Sequence, residues 1–228
     1  HGYLKPYGYA GDFEIIDNIY TLKTNPHLPY KVWDEYFHRQ SAPKAVRNRK
    51  AYFKKIISMQ LKTGKLLNIA SGPGRDLYEL YNDFGANGLK CTCVEIDGHA
   101  IDYSRKLNSA FLSNIDFVQK NVFRYRPAEK YDIIWSAGLF DYFDNRAFEL
   151  LLRRFSCWLN EGGEIIVGNF NEDHNPSRLY MELFGDWYLF HRSEEQLIEL
   201  AKKAGFDDKQ ISVGREPENV NLFLHIRN

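Results

Sequence analysis

The sequence has no excess of charge of either sign and no long hydrophobic run. Its 228 residues include 30 basic and 30 acidic side chains, which cancel to a formal net charge of zero. Because nucleic-acid-binding domains usually carry a net basic surface, we expect no nucleic-acid partner. No apolar run approaches the roughly 20 residues that cross a bilayer as a helix, and no secretory signal pattern is visible. We therefore expect no membrane span.

Cysteine is also scarce, with three residues in the whole chain. Three thiols are too few for a disulfide scaffold, so a cytoplasmic location is expected. Cys91 and Cys93 alternate onto one face of a predicted strand, which favours packing in the core over metal binding. We expect no metal site.

What the sequence does contain is a glycine turn between a strand pattern and a helix pattern. The apolar run 66–70 is typical of a strand buried on both faces. It stops at Ser71–Gly74, and a helical pattern begins at Asp76. Such a turn lets a nucleotide approach backbone N–H groups closely, although a tight turn without a ligand has the same pattern.

Two further features favour an adenosine ligand without phosphates. Glu95 ends the next strand pattern roughly twenty residues after the glycines, where a doubly wound fold places the carboxylate that binds ribose hydroxyls. The turn lacks the third glycine of a dinucleotide site, since Leu77 stands there, and it lacks the lysine of a phosphate-binding loop. S-adenosylmethionine (SAM) is the ligand that this combination favours.

Strand and helix patterns alternate along the rest of the chain, which predicts an α/β fold with a mostly parallel sheet. The strand patterns cover residues 66–70, 91–97, 115–118, 131–138, 164–169, 210–213 and 221–226. The last two are too close together for a helical crossover, so they predict an antiparallel hairpin at one edge. A helix pattern at 146–159 precedes the fifth strand. The expected fold is therefore a Rossmann-like, seven-stranded sheet with a C-terminal hairpin.

The first 62 residues precede this pattern, and we expect an N-terminal lid and lead-in helix there, with residues 63–228 forming the SAM-binding domain. A helix is predicted from Ser41 to about Gln60, with most of its basic residues in solvent. Residues 1 to about 40 have no clean period, apart from a short helix capped by Asp12, but they are rich in aromatic residues. These aromatics pack on the core, close over the ligand, or do both.

Four spaced motifs resemble, in order, the strand motifs of class I SAM-dependent methyltransferases. They are Leu67–Gly74, Val94–Asp97, Tyr131–Ser136 and Gly162–Ile166. The resemblance covers about residues 42–228 and implies the class I methyltransferase fold, with SAM as cofactor and S-adenosylhomocysteine as product. It also implies that residues at the strand ends bind the cofactor: Ala70, Ser71, Gly72, Gly74, Glu95, Ile96, Asn121, Val122, Ser136, Ala137 and Gly138.

A narrower resemblance points to an acceptor. Lys5–Glu14, Ala45–Arg49 and Asp186–Glu195 are similar to bacterial methyltransferases that make the 3-hydroxypalmitic acid methyl ester, an extracellular factor. This resemblance implies O-methylation of a hydroxy fatty acid or another carboxylate. The expected partner is a small-molecule acceptor, and the oligomeric state stays open.

The acceptor's chemistry decides which side chains the reaction needs. A carboxylate is already ionised at pH 7, so it needs cations or hydrogen-bond donors rather than a base. The candidates for that role are Tyr142, Arg178, Tyr180, His191 and Arg192. A hydroxyl or amine acceptor needs a base, for which Asp12, Asp141 and His174 are the candidates. From these candidates we expect Asp141, Tyr142, His191 and Arg192 to be the catalytic residues.

The aromatic N-terminal segment gives one further expectation. Tyr7, Tyr9, Phe13 and Tyr20 are placed to stack around the cationic sulfonium of SAM by cation–π attraction, and Asp12 belongs to the same lid. Two other uses of SAM fit the same motifs: a cyclase that releases methylthioadenosine and a non-catalytic SAM-binding regulator. A nicotinamide-dependent oxidoreductase fits less well, because of Leu77.

Overall fold

The computed structural model describes residues 5–86 and 88–228, so the first four residues of the predicted lid lie outside it. Three helices precede the sheet: α1 (Phe13–Thr21), α2 (Leu28–Arg39) and α3 (Ser41–Gln60). The strands are β1 (Gly64–Ile69), β2 (Leu89–Glu95), β3 (Ile115–Gln119), β4 (Tyr131–Ala137), β5 (Leu159–Phe170), β6 (Ile211–Arg215) and β7 (Asn221–Arg227). The remaining helices are α4 (Arg75–Phe84), α5 (Gly98–Leu107), α6 (Asn145–Ser156), α7 (Arg178–Gly185) and α8 (Glu194–Lys203).

The seven strands form one sheet in the order β3-β2-β1-β4-β5-β7-β6. The first five strands run parallel, and β7 is antiparallel to both of its neighbours. The predicted fold class and the C-terminal hairpin are confirmed. The hairpin's second strand enters the sheet beside β5, which leaves β6 at the edge.

Alternate residues of the strands pack into separate cores on the two faces of the sheet. Leu67 and Ile69 belong to the core under α6 and α8, whereas Leu66 belongs to the core under α3 and α4. The second core also contains Cys91 and Cys93, both buried, as expected from their spacing. Because both faces are covered, the carboxyl ends of the parallel strands are the open edge, where ligands bind in such folds.

Two boundaries differ from the sequence-based expectation. The helix predicted for 146–159 ends at Ser156, and Leu159 instead starts β5 by pairing with Tyr131. The pairing then skips to Glu164 opposite Ile133, so residues 160–163 form an irregularity inside one long strand. The apolar residues at the end of the helix pattern therefore belong to two elements.

Helix α2 was not predicted from the sequence, and its packing explains why. His38 is its one buried residue, and its aromatic residues Tyr30, Trp33 and Phe37, although they recur at helical spacing, are not buried in a core. By contrast, Asp12 was predicted to cap α1, and its Oδ1 accepts hydrogen bonds from the backbone N–H groups of Glu14 and Ile15 at 3.0 and 2.9 Å. None of the described helices is long and apolar enough to cross a membrane.

Candidate functional site

A cavity of about 290 Å³ lies at the carboxyl ends of β1, β2 and β4. Its floor is the turn between β1 and α4, where Ala70, Gly72 and Gly74 all have positive φ angles. A Cβ at Gly74 would lie 2.0 Å from Ser104 Oγ, so this position requires glycine for close packing against α5. A Cβ at Gly72 would have no neighbour within 4 Å, so the backbone there is open to the cavity.

Glu95 closes one end of this cavity and joins β2 to the turn. Its Oε1 accepts hydrogen bonds from the backbone N–H groups of Ile96 and Asp97, and its Oε2 accepts one from Gly72 at 3.0 Å. Burial raises the pKa of this carboxyl group, while the backbone hydrogen bonds oppose the shift. Since each carboxylate oxygen has two acceptor positions, Oε2 retains one for a ligand hydroxyl.

Arg49 places a buried cation in the middle of the cavity. Its guanidinium has a weak contact to the Tyr20 hydroxyl at 3.5 Å and no ion pair with a carboxylate of the described residues. Gly138, at the end of β4, makes room for it: a Cβ there would lie 2.8 Å from Arg49 Nη1. Asp141 and Asp76 lie near enough to raise the pKa of Arg49, but neither forms an ion pair with it, so the cavity favours an anionic group at this point.

Two buried carboxyl groups line the same cavity, and burial raises the pKa of each to about 6. Asp76 Oδ1 accepts the N–H of Leu77 at 2.9 Å. Asp141 Oδ1 accepts the N–H of Phe170 at 2.6 Å, whereas its Oδ2 is buried with no hydrogen-bond partner. The cavity therefore combines Arg49, a cation without an ion pair among the described residues, with separate carboxylates, which suits a ligand that carries both charges.

The N-terminal segment forms the roof of the cavity. Tyr9, Gly11, Phe13, Ile16 and Tyr20 line it from this side. The segment is tied down over the carboxyl ends of the strands, because the Tyr9 hydroxyl donates to Asp97 Oδ2 at 2.9 Å.

Helix α1 is fixed by a second tie. Asp17 forms an ion pair with Arg75 of α4 and accepts a hydrogen bond from the Tyr103 hydroxyl of α5 at 2.6 Å. These contacts hold the roof closed over the cavity.

Twelve of the residues predicted from the sequence line this cavity. They are Tyr9, Phe13, Tyr20, Ala70, Ser71, Gly72, Glu95, Ile96, Ala137, Gly138, Asp141 and Tyr142. The strand ends and the N-terminal segment are thus brought together as expected.

Other predicted cofactor residues lie outside the cavity lining, because their side chains turn elsewhere. The Ser136 hydroxyl is buried and donates to the Ile69 carbonyl at 3.1 Å. Asn121 is exposed, and its Oδ1 accepts the N–H of Phe123 at 2.8 Å, while Val122 packs in the core. Gly74 packs on Ser104 instead of facing the cavity.

The same is true of two residues of the predicted lid. Asp12 uses its carboxylate as a helix cap, and Tyr7 packs on the rings of Phe13 and His99. The structure therefore places two of the three predicted sulfonium tyrosines, Tyr9 and Tyr20, against the cavity.

His191 and Arg192 were candidates for catalysis, and the structure places both outside the cavity lining. The Arg192 guanidinium donates to the carbonyls of Phe140 and Phe143 and to the side chains of Asn145 and Asn169. His191 lies against Asn175 and the Leu189 carbonyl. These polar groups are already paired within the protein, and the guanidinium of Arg192 holds the backbone on both sides of Asp141.

Arg49, Asp76 and Trp187 are cavity residues that the sequence reading missed. Arg49 had a visible signal, because it lies three residues after Val46 and four before Phe53, in the apolar stripe of α3. A cation on the buried face of an amphipathic helix needs a partner or a ligand. Trp187 had no such signal, because it follows a helix with one buried residue, Met181.

A second, larger cavity of about 560 Å³ lies beside the first and shares Gly11 and Trp187 with it. Helices α1, α2 and α7 enclose it. Its walls are rich in aromatic rings: Tyr30, Trp33, Phe37, Tyr180, Phe184 and Trp187.

Comparisons with known proteins agree with this architecture. Residues 66–163 match the family model described as a methyltransferase domain. A comparison with curated protein sequences found no match. Among solved structures, a possible exported protein from Bordetella parapertussis is 19% identical with a TM-score of 0.81, covering 95% of this chain and 79% of that one.

Two other similar structures were determined with ligands. The N-methyltransferase NodS from Bradyrhizobium japonicum, in complex with S-adenosylhomocysteine, is 15% identical with a TM-score of 0.59, covering 95% of this chain and 97% of its own. Magnesium protoporphyrin IX methyltransferase from Synechocystis, with bound SAM, is 9% identical with a TM-score of 0.60, covering 82% and 83%. At these identities the likeness shows the fold. The family match adds that residues 66–163 resemble a methyltransferase domain, and these two neighbours were solved with SAM or S-adenosylhomocysteine bound.

Proposed function

We propose that the first cavity binds SAM and that the protein transfers a methyl group to a hydroxyl of a small-molecule acceptor, with a hydroxy fatty acid as the leading candidate. The main support for placing the cofactor here comes from two buried charged residues, Arg49 and Asp76. They line the same cavity but form no ion pair with each other. The amino-acid end of SAM has one carboxylate and one ammonium group. A separate cation and carboxylate match it.

The adenosine end has its own partners in the proposal. Glu95 Oε2 has one acceptor position left and would hold a ribose hydroxyl. The open backbone at Gly72 allows close approach of the ligand, and Ile96 is a 61%-exposed apolar surface for the adenine. The residues present therefore fit each part of the cofactor.

SAM supplies an electrophilic methyl group on its sulfonium. The carbon–sulfur bond breaks as a carbon–oxygen bond forms, and the hydroxyl proton passes to Asp141. Asp141 is suited to take it, because its Oδ2 has no partner and its carboxyl group is ionised above a pKa of about 6. The described N-terminal roof excludes water from the same space.

The acceptor atom follows from the charges. A carboxylate acceptor beside Asp141 would bring two like charges together, and Arg49 is occupied by the cofactor's own carboxylate in this proposal. A hydroxyl avoids that repulsion and donates its proton to Asp141. For a hydroxy fatty acid we therefore propose that the hydroxyl accepts the methyl group. The sequence resemblance alone implied methylation of the carboxylate, which would give a methyl ester.

Product analysis tests the proposal. The protein is incubated with SAM and with matched pairs of fatty acids that differ in the 3-hydroxyl, and the products are identified by mass spectrometry before and after alkaline hydrolysis. We expect S-adenosylhomocysteine and an alkali-stable methyl ether from the hydroxy acid only. An alkali-labile ester, formed from both members of a pair, would contradict the hydroxyl assignment. Methylthioadenosine from SAM alone would contradict methyl transfer.

A further inference from the structure

The second cavity is not needed to bind the cofactor. The first cavity, at about 290 Å³, is at the lower end of the sizes of small-molecule pockets, so it suits one ligand. The proposed cofactor contacts with Glu95, Asp76 and Arg49 use much of that space. An acceptor larger than a few atoms needs further room, and the neighbouring cavity of about 560 Å³ provides it.

We propose that this second cavity holds the uncharged, apolar part of the acceptor and that Trp187 separates it from the methyl donor. This inference rests on the proposed function of the first cavity. The proposed ligand site lies between α1, α2 and α7. Trp187 would control whether the reacting end of the acceptor reaches the first cavity.

The lining chemistry supports an apolar occupant. Tyr180 packs on Phe184 with ring centroids 5.2 Å apart and on Phe37 at 6.3 Å, which gives one wall of contiguous rings. The ionisable side chains at the cavity, Glu14, Lys23, Asp34 and His38, include only one cation that is permanently charged. Asp34 already accepts the N–H of Asn25 at 2.7 Å. The site therefore offers ring surface to a ligand and no cluster of charges to hold an anion.

The boundary between the cavities is built from a few specific contacts. The Trp187 indole N–H donates to the Tyr142 hydroxyl at 2.9 Å, and that hydroxyl donates to the Ala10 carbonyl at 2.7 Å. Gly11 has a φ of +69°, and a Cβ there would lie 2.4 Å from Trp187 Cζ2. The indole thus fits over a glycine backbone and makes one hydrogen bond, and in this proposal a rotation of the side chain that breaks this bond joins the two cavities.

The outer wall is accessible from solvent. Tyr30, Trp33 and Phe184 are 63%, 63% and 64% exposed, although they line the cavity. Helix α2 buries only His38 and α7 only Met181, so these helices make few contacts that oppose their movement. Access between them gives the acceptor a route that does not require the N-terminal roof over the cofactor to open.

Binding of simple alcohols tests the site directly. The probe is octan-1-ol, with butan-1-ol for comparison, titrated into the full chain while its intrinsic tryptophan fluorescence is followed, with and without SAM. We expect saturable binding that is tighter for octan-1-ol and is not displaced by SAM. The Trp33→Ala variant should weaken octan-1-ol binding about tenfold, which corresponds to the loss of an apolar contact of about 1.4 kcal/mol.

The control is Val32→Ala, an exposed residue next to Trp33 on α2 that does not line the cavity. It should leave alcohol binding unchanged, and both variants should bind SAM as the wild type does. Displacement of octan-1-ol by SAM, equal binding in Trp33→Ala, or no saturable binding would overturn the inference. If SAM itself fails to bind while octan-1-ol binds as described, the proposed cofactor site is wrong and the second site stands.

Discussion

The two cavities are built in different ways, although they share Gly11 and Trp187. The cofactor half is formed by strand ends and buried charges: Arg49, Asp76 and Glu95 are each no more than 9% exposed. The acceptor half is formed by exposed rings on α2 and α7, two helices with one buried residue each. In the proposed function, the half built from buried charges positions the methyl donor, and the half built from exposed rings determines which acceptor enters.

This contrast predicts that substitutions in the two halves affect different steps. Changes among the buried charges should alter cofactor affinity, chemistry or pH dependence. Changes among the exposed rings should alter acceptor affinity and little else.

The largest expected effect is on the chemical step. Asp141→Asn should lower kcat by about 10²- to 10⁴-fold, because the amide cannot take the hydroxyl proton. Its oxygen can still accept the Phe170 N–H, so SAM affinity should stay within about threefold of the wild type. In the wild type, kcat should rise with pH through about 6 and then level off, as Asp141 ionises.

Asp144→Asn is the matched control for that variant, since Asp144 caps α6 through Ala147 and does not line the cavity. It should keep wild-type activity. A wild-type kcat in Asp141→Asn would remove the proposed base.

The next effect is on cofactor binding. Arg49→Met keeps an unbranched side chain of similar length but removes the cation, and SAM affinity should fall about 100-fold. The thermal midpoint of the ligand-free protein should also fall, because the variant removes the cation that lies near the buried carboxyl groups of Asp76 and Asp141. Isothermal titration and thermal unfolding measure the two quantities. Lys55→Met, on the exposed side of the same helix, is the control, and unchanged SAM binding in Arg49→Met would contradict the placement.

The third effect is on the stability of the ligand-free protein. Burial raises the pKa of Asp76 to about 6 from 3.8, so the folded state favours the protonated form. The stability contributed by this group is present below pH 3.8 and is lost as the pH rises through about 6. Asp76→Asn should therefore be more stable than the wild type by about 2 to 3 kcal/mol at pH 7 to 8, and equal to it below pH 4.

Urea unfolding at several pH values, without SAM, measures that difference. The same variant should bind SAM more weakly, because it lacks the carboxylate for the ammonium group. A stability difference that is constant across pH would show that Asp76 is not the titrating group.

The smallest effect concerns the roof of the cofactor half. Asp17→Asn breaks the ion pair with Arg75 and weakens the contact with the Tyr103 hydroxyl, so SAM should dissociate about five- to tenfold faster. Stopped-flow displacement measures the rate. Glu35→Gln, which removes exposed ion pairs on α2, is the control and should leave the rate unchanged.

Much of the cofactor half could be predicted from the sequence, because it depends on backbone geometry at strand ends. The spacing of Gly72, Gly74 and Glu95 fixes which strand ends meet, and apolar periodicity fixes the strands themselves. The spacing of residues in the sequence does not determine which way each side chain points. Ser136 and Asn121 stand at the expected positions, but each side chain forms a hydrogen bond with nearby backbone and turns away from the cavity.

The acceptor half could not be predicted in the same way. Helix α2 has a single buried residue, and Trp187 reaches the first cavity because the loop after α7 folds back toward Gly11. His191 and Arg192 were predicted to contact a substrate because of their side-chain chemistry. In the structure their polar groups already bond to carbonyl and amide groups of the protein. Arg49 was missed because the basic residues of an amphipathic helix usually face solvent.

The most direct measurement is a crystal structure of the protein with S-adenosylhomocysteine. The account predicts that the ligand occupies the first cavity, with its carboxylate within hydrogen-bond distance of the Arg49 guanidinium, its ammonium group at Asp76 and a ribose hydroxyl on Glu95. It also predicts that the second cavity holds no part of this ligand. A ligand whose carboxylate lies away from Arg49, or one that lies in the second cavity, would contradict the central claim.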